Sequence, residues 1–179
     1  AEALGHVPAP LVLDVGTGTG RLPLALLAQP GFRGQVIGVD ASRRMLAIAA
    51  EKLLADAHRM LLIWRDAACL PFADGTFDAV GCLEMVEFTP DPEAQLAEAI
   101  RVLRPGGILL TTRRRGVNAR LMPGKTHSPA VFTSLLERLG LTRAEIMPWQ
   151  VEYDRVWGVR AGRFVVGAAL HPRDALRCP

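Results

Sequence analysis

The segment that decides the fold reads LVLDVGTGTG at positions 11–20. Its first five residues are apolar except for Asp14, the next five alternate glycine with threonine, and helix formers occupy positions 22–28. An apolar run that ends in a glycine-rich turn before helix formers predicts a strand, a tight loop and a helix. Pro23 is compatible with this helix because the N–H groups of a first helical turn have no helical partner. The segment therefore predicts the first strand and helix of an α/β domain.

The same alternation continues along the chain. Strands are expected over residues 35–39, 60–64, 77–83 and 108–112, and two extended segments are expected near 144–151 and 163–170. Helix starts are marked by the capping residues Ser42, Asp91 and Ser128. Because parallel strands need a covering crossover between them, the order of elements predicts a mostly parallel sheet with helices on both faces.

Composition and charge exclude several classes of protein. The chain has 179 residues, of which 50% are hydrophobic and 22% are charged, as in ordinary globular domains. Its longest apolar run, at 22–28, falls well short of the roughly 20 residues of a membrane span, so we expect a cytoplasmic protein without a membrane partner. A net charge of +3 from 21 basic and 18 acidic residues is too balanced for a dedicated nucleic-acid binder. The three cysteines form no close pair, so no metal site is predicted.

Residues suited to a nucleoside lie at the ends of the expected strands. Gly16, Gly18 and Gly20 lack side chains, so the backbone between them can approach a ligand closely. Asp40 ends the second expected strand, where a carboxylate accepts hydrogen bonds from ribose hydroxyls, and Asp66 ends the third, where it can accept a bond from the amino group of adenine. Each feature also has a structural explanation: the glycines could form a simple tight turn, Asp40 could cap a helix, and Asp66 could be a surface acid.

A nicotinamide dehydrogenase is an alternative nucleotide-binding protein. Its loop has the pattern G-x-G-x-x-G, yet the third residue after Gly18 is Arg21. Arg43 and Arg44 could hold a 2′-phosphate, but the carboxylate of Asp40 just before them would repel it. The spacing therefore disfavours a dehydrogenase.

Four ordered blocks carry a resemblance to a known family. They are VLDVGTGTGRL at 12–22, VIGVDAS at 36–42, RDAACLPFADGTFDAV at 65–80 and RVLRPGG at 101–107. Together they resemble the class I S-adenosylmethionine-dependent methyltransferases, in the subgroup of ubiquinone and menaquinone biosynthesis enzymes. The resemblance implies a Rossmann-like, doubly wound, seven-stranded α/β sheet whose last strand is antiparallel. Few residues precede the first expected strand, where this family usually has an N-terminal helical segment, so we expect a single domain over residues 1–179 with little or no N-terminal lid segment.

The resemblance further implies the residues that bind S-adenosylmethionine and its product S-adenosylhomocysteine. Asp14 and the backbone of 16–18 would hold the methionine part, Asp40 both ribose hydroxyls, and Asp66 with the Ala67 N–H the adenine edge. The full implied set is Asp14, Gly16, Thr17, Gly18, Gly20, Asp40, Ala41, Ser42, Met45, Asp66, Ala67, Ala68, Leu83 and Glu84.

The methyl acceptor is less well defined by the sequence. Alignment and exclusion of water matter more to methyl transfer from a sulfonium than a charged nucleophile does, so no catalytic residue is assigned. Glu87 and His127 are candidate general bases, although each is also explained as a solvated surface residue. The family often carries a His-His pair after the fourth strand, where this chain has Glu87 and Phe88.

A run of three arginines follows the fifth expected strand. Arg113, Arg114 and Arg115 could clamp a carboxylate or phosphate of the acceptor, or form a solvated loop. Three functions remain open at this point: a small-molecule methyltransferase, which we favour, a non-catalytic or regulatory protein that binds S-adenosylmethionine, and an RNA or protein methyltransferase. The sequence predicts neither the acceptor nor the oligomeric state.

Overall fold

Seven strands form one sheet in the order β3-β2-β1-β4-β5-β7-β6. The structure is a computed structural model that describes residues 4–122 and 124–162. The strands are β1 Leu11–Val15, β2 Gln35–Asp40, β3 Met60–Trp64, β4 Phe77–Cys82, β5 Leu103–Arg114, β6 Leu141–Pro148 and β7 Tyr153–Arg160. The first five pair in parallel, whereas β7 is antiparallel to both β5 and β6. This confirms the expected mostly parallel, seven-stranded sheet with an antiparallel last strand.

The last two strands do not lie where the sequence predicted them. β6 begins at Leu141 rather than near 144, and β7 occupies Tyr153–Arg160, ten residues before the expected segment at 163–170, which lies outside the described residues. The charged residues of β7 obscured its apolar alternation. They are stabilised by pairing with β5, which continues to Arg114 because Arg113 lies opposite Asp154 in the antiparallel register.

The described residues contain five α-helices; four begin where the sequence predicted a helix, and the one at 116–120 was not predicted. They are α1 Arg21–Leu27, α2 Arg43–Lys52, α3 Pro92–Val102, α4 Gly116–Arg120 and α5 Pro129–Arg138. The side chains of Ser42, Asp91 and Ser128 each accept a hydrogen bond from the backbone N–H three residues later, as N-cap residues do. No described helix is both long enough and apolar enough to span a bilayer.

The core consists of one apolar layer on each face of the sheet. Successive residues of a strand point to opposite faces, so Leu13 and Val15 of β1 pack in the layer that contains α3 and α5. Val12 packs in the other layer, with residues of α1 and α2. Asp14 falls on the Val12 face although it is polar. Its neighbours in register on β2 and β4 are Gly38 and Gly81, which leave room for its carboxylate.

The loop between α1 and β2 generates a paired stability prediction. A Cβ atom on Gly34 would lie 2.1 Å from the backbone oxygen of Pro10, whereas a Cβ on Gly31 would meet no atom within 4 Å. Because backbone cannot move away as a side-chain end can, Gly34→Ala is expected to lower the free energy of unfolding by about 2 kcal/mol or more. Gly31→Ala should change it by less than about 1 kcal/mol. Urea unfolding of both variants checks this, and equal effects would contradict it.

Candidate functional site

The glycine loop between β1 and α1 folds over the end of β2. Gly16, Gly18 and Gly20 have φ angles of +68°, +53° and +80°, in the left-handed region that glycine adopts readily. The N–H groups of Gly16 and Thr17 donate to the Val39 carbonyl at 2.8 and 3.0 Å. The next N–H, that of Gly18, donates to Asp40 Oδ2 at 2.8 Å. Three consecutive N–H groups of the loop are thus bound within the protein.

Asp40 holds the loop and the start of α2 together. Its Oδ2 accepts from the Gly18 N–H and its Oδ1 accepts from the Ser42 N–H, each at 2.8 Å. A carboxylate has about four acceptor positions, two on each oxygen, so each oxygen retains one. Because Asp40 is only half-buried, these remaining positions are accessible to a ligand.

A cleft of about 410 Å³ opens beside Asp40 at the carboxyl ends of the parallel strands. It brings together seven of the residues implied by the resemblance: Gly16, Asp40, Ala41, Asp66, Ala67, Ala68 and Glu84. Seven further residues line it that the sequence analysis missed: Met85, Phe88, Thr89, Pro90, Asp91, Ala94 and Gln95. These come from the segment between β4 and the first turn of α3. The Asp91-Pro92 helix start, at the same edge of the sheet, was the available signal for them.

The other implied residues surround the cleft without lining it. Gly18 and Ser42 hold Asp40 through their N–H groups, and the Ser42 hydroxyl also caps α2. Gly20 begins α1 in close contact with Leu53, where a Cβ would lie 2.9 Å from a side-chain carbon. The remaining members of this group are Asp14, Thr17, Met45 and Leu83.

The charge of the cleft is opposite in sign to that of the chain. Its charged lining residues are all acidic: Asp40, Asp66, Glu84 and Asp91. No Lys, Arg or His side chain is found among the described residues that line it. The net charge of the whole chain is nevertheless +3. A cleft with this lining attracts a cation and repels a phosphate group.

Asp14 lies buried below the glycine loop, with only 3% of its surface exposed. Burial raises the pKa of Asp14 to about 7, the nearby Thr17 hydroxyl opposes this shift, and the Asp40 carboxylate adds to it. Thr17 Oγ1 is itself buried and makes no hydrogen bond of normal geometry to a described residue. Asp14 is therefore a buried acid near Asp40 whose pKa lies close to neutral pH.

The segment after β3 leaves one donor unused. Asp66 Oδ1 accepts from the Ala68 N–H at 2.9 Å, which turns the chain below the cleft and leaves Asp66 Oδ2 available. The intervening N–H, that of Ala67, donates to no acceptor in the described part of the chain. Ala67 is buried. Because Ala67 lines the cleft, an acceptor on a ligand bound there would pair with this N–H.

Glu84, which lines the cleft, has a strained backbone. Its φ angle is +53°, a conformation that costs a residue other than glycine about 1–2 kcal/mol. Its N–H donates to Thr112 Oγ1 at 2.7 Å, and its Oε1 accepts from Gln150 Nε2 at 3.2 Å. Arg21 Nη1 lies 3.7 Å from the same oxygen. These contacts hold the carboxylate at the junction of β4, β5 and the β6–β7 turn.

The two candidate bases lie away from the cleft lining. Glu87 is 4% exposed and accepts a hydrogen bond from the Tyr153 hydroxyl at 2.6 Å, so it is not a solvated loop acid. Burial and the bond to Glu87 raise the pKa of Tyr153 well above its usual value, which keeps the phenol protonated as the donor. The ring of His127 stacks on Phe132 with 6.4 Å between ring centroids.

The three arginines are paired with acids of the neighbouring strand or of the turn before it. Arg113 and Arg115 both bind the Asp154 carboxylate, and Arg114 binds Glu152 at 2.9 Å. The Arg114 guanidinium also lies 5.5 Å from the Tyr153 ring and 5.7 Å from the Phe88 ring. None of the three lines the cleft, and their observed contacts join β5 to β7.

The raised pKa of Asp14 predicts a pH dependence of stability. Its folded pKa of about 7 exceeds the ordinary value of 3.8, so between these pH values the folded state holds a proton that the unfolded state releases. Stability from this group therefore falls as the pH rises from about 4 to 7. In Asp14→Asn this fall is absent, so the variant's free energy of unfolding relative to wild type should increase over that range by up to about 4 kcal/mol. Denaturant unfolding from pH 4 to 8 measures it, and a constant difference would contradict it.

The backbone of Glu84 predicts an inverted glycine–alanine comparison. Glu84→Ala and Glu84→Gly remove the same contacts, but only glycine relieves the left-handed strain. Glycine normally destabilises a position by about 0.5–1 kcal/mol relative to alanine. Here Glu84→Gly is expected to be the more stable variant, by about 1 kcal/mol in urea unfolding. An alanine variant as stable as the glycine variant would refute the strain at this position.

Comparisons with known proteins are consistent with this geometry. A family model described as a methyltransferase domain matches residues 12–107 of the chain. A demethylmenaquinone methyltransferase from Desulfitobacterium hafniense is 37% identical over 106 residues, which cover 58% of this chain and 42% of that relative. An arsenite methyltransferase from Aquipseudomonas alcaligenes is also 37% identical over 106 residues, which cover 55% of this chain and 31% of that protein. The matched part of the chain thus spans less than half of either relative.

Solved structures show the same fold. The crystal structure of a SAM dependent methyltransferase from Aquifex aeolicus superposes with a TM-score of 0.70 over 85% of this chain and 82% of that one. The two sequences are 22% identical, so the likeness concerns the fold alone.

Proposed function

The chain belongs to the methyltransferase-domain family, and from this premise we propose that it transfers a methyl group from S-adenosylmethionine to a small-molecule acceptor. The observation that carries the proposal is the exclusively acidic lining of the cleft among the described residues. S-adenosylmethionine bears a sulfonium and an α-ammonium group next to a neutral nucleoside. Both cations would be stabilised by nearby carboxylates such as that of Glu84, which lines the cleft.

The glycine loop supports this ligand over a dinucleotide. Dinucleotide folds bind a pyrophosphate with free N–H groups at the loop and helix N-terminus. In this chain the N–H groups of Gly16, Thr17 and Gly18 are already bound to Val39 and Asp40. A phosphate at this loop would meet the Asp40 carboxylate instead of three donors. The hydrogen bonds therefore disfavour the dehydrogenase alternative, in agreement with the spacing of the glycines.

The unused acceptors and donors of the cleft fit a nucleoside. Asp40 retains one acceptor position on each oxygen, which suits the two neighbouring hydroxyls of a ribose. Asp66 Oδ2 would accept from the amino group of adenine, and the unpaired Ala67 N–H would donate to a ring nitrogen beside it. A hydrogen-bonding ligand edge at this place would satisfy groups that the protein alone leaves open.

The protein's contribution to the reaction is alignment in a partly enclosed cleft. When bound, S-adenosylmethionine supplies an electrophilic methyl group on a positively charged sulfur. The chain's residues would fix the ribose at Asp40 and the amino acid part near Glu84, leaving Met85 and Phe88 to shield the space between donor and acceptor from water. Orientation of this kind is worth about 7–11 kcal/mol in well-aligned reactions, and a general base is needed only where the acceptor must lose a proton.

The acceptor is proposed at the level of its class. Two relatives of equal identity carry names with different acceptors, one a quinone and the other arsenite. The cleft continues past Glu84 to Phe88, Thr89 and Pro90, and this end offers space for a small acceptor next to an exposed aromatic ring. The balanced charge of the chain supports a small molecule over RNA.

The proposal predicts a selective loss of donor binding in Asp40→Ala. Two hydrogen bonds from ribose to a charged acceptor are worth about 3–6 kcal/mol, so the affinity for S-adenosylhomocysteine should fall at least about 100-fold in titration calorimetry. Asp78→Ala is the matched control. Asp78 also accepts a hydrogen bond from a backbone N–H, that of Leu11 at 2.7 Å. It is the second residue of β4 and does not line the cleft.

Both variants should lose stability, because Asp40→Ala frees two backbone N–H groups and Asp78→Ala frees one and breaks the ion pair with Arg104. Only Asp40→Ala should lose affinity. Wild-type protein that fails to bind S-adenosylhomocysteine would refute the proposed function, as would equal affinities of the two variants. Turnover is then tested with labelled S-adenosylmethionine on panels of small acceptors and of RNA. Binding without turnover on any panel would favour the non-catalytic alternative.

A further inference from the structure

Helix α3 fastens the connection between β3 and β4 with three polar side chains. Gln95, Glu98 and Arg101 are spaced three residues apart, which places them along one side of the helix. Glu98 Oε1 accepts from the Leu70 N–H at 2.8 Å, and Arg101 donates to the carbonyls of Leu70 and Phe72. Gln95 Nε2 donates to the carbonyl of Ala67 at 2.5 Å. The helix thus holds the connection at several successive points.

Gln95 differs from the other two members of this row. Glu98 and Arg101 are partly exposed and bind each other as an ion pair at 2.7 Å. Gln95 is 3% exposed and lies on a helix face whose next buried members are Ala99 and Val102. An amide buried at an apolar position costs about 1–3 kcal/mol unless it is hydrogen-bonded. The bond to the Ala67 carbonyl satisfies the amide donor of Gln95. The bonds of Glu98 and Arg101 to Leu70 and Phe72 do not involve Gln95.

The atom that Gln95 holds belongs to the residue that would read the purine. Ala67 carries the unpaired N–H in the lining of the cleft, and Asp66 precedes it. Gln95 also lines the cleft, whereas Glu98 and Arg101 are absent from its lining. Fixing the Ala67 carbonyl restricts the rotation of the chain at Ala67 and Ala68. The Ala68 N–H belongs to the same peptide unit and binds Asp66 Oδ1, so the direction of the Asp66 carboxylate depends on this bond.

We propose that Gln95 is a positioning residue that sets the selectivity of the cleft for the amino-bearing edge of adenine. This inference rests on the proposed function, since it assumes that a nucleoside lies against Asp66 and Ala67. Asp66 accepts a hydrogen bond from a 6-amino group but repels the oxygen of a 6-oxo purine such as hypoxanthine. Discrimination between the two requires the carboxylate and the N–H to be held in place. Gln95 supplies this restraint through its hydrogen bond to the Ala67 carbonyl.

The experiment compares S-adenosylhomocysteine with S-inosylhomocysteine, its 6-oxo analogue. Wild type is expected to bind the adenine compound about 10- to 100-fold more tightly in titration calorimetry, the range of one hydrogen bond to a charged group. Gln95→Met keeps the length and volume of the side chain and removes its donor. In this variant the preference should fall to less than about threefold. Gln95→Leu provides a second variant should the methionine protein fold poorly.

Arg101→Gln is the control for a purely structural effect. It removes the ion pair with Glu98 and the bonds to Leu70 and Phe72, but it leaves the Gln95–Ala67 bond intact. Its thermal stability should fall while the adenine preference stays at the wild-type ratio. An unchanged ratio in Gln95→Met, or an equal loss of the ratio in Arg101→Gln, would overturn the positioning role. Failure of wild type to bind S-adenosylhomocysteine is a different result, which removes the proposed function itself.

Discussion

The Asp40 carboxylate is the interaction on which the site depends. Its two oxygens bind the Gly18 N–H and the Ser42 N–H at 2.8 Å, so one side chain fixes both the glycine loop and the first turn of α2. Without this carboxylate the Gly18 and Ser42 N–H groups would lose their acceptor, whereas those of Gly16 and Thr17 would stay bound to the Val39 carbonyl. With it, a negative charge lies at the glycine loop and repels a phosphate there. Asp40 at the end of β2 therefore contributes both to the shape of the loop and to the acidic lining of the cleft.

Several arginines of the chain are paired with acids that do not line the cleft. Arg113 and Arg115 share Asp154, Arg114 binds Glu152, and Arg101 binds Glu98 and Asp74. Each arginine is thereby held in the β5–β7 ladder or along α3. The net charge of +3 therefore says little about the field in the cleft, because a field depends on where charges lie and is screened within about 10 Å.

The parts of the fold that rest on local pattern were predictable from the sequence, and those that rest on distant pairing were not. Ser42, Asp91 and Ser128 mark helix starts by a bond to a residue three positions later, so a short window contains the whole signal. The strand Tyr153–Arg160 reads as polar because its Asp154 is matched to Arg113, 41 residues earlier. The burial of Glu87 could not be predicted from the sequence either, since its hydrogen-bond partner, the Tyr153 hydroxyl, lies 66 residues away.

Several local costs lie in or next to the cleft. Glu84 has a left-handed backbone, which Arg143 of β6 shares among the described residues other than glycine. Asp14 is an acid buried near the Asp40 carboxylate, Thr17 Oγ1 makes no hydrogen bond of normal geometry, and the Ala67 N–H has no acceptor among the described residues. The other buried atoms without a partner belong to guanidinium groups already paired with carboxylates. A folded chain tolerates such strain where a ligand or a reaction uses it. These costs at one edge of the sheet therefore point to the same place as the acidic lining, and they do so without reference to any related protein.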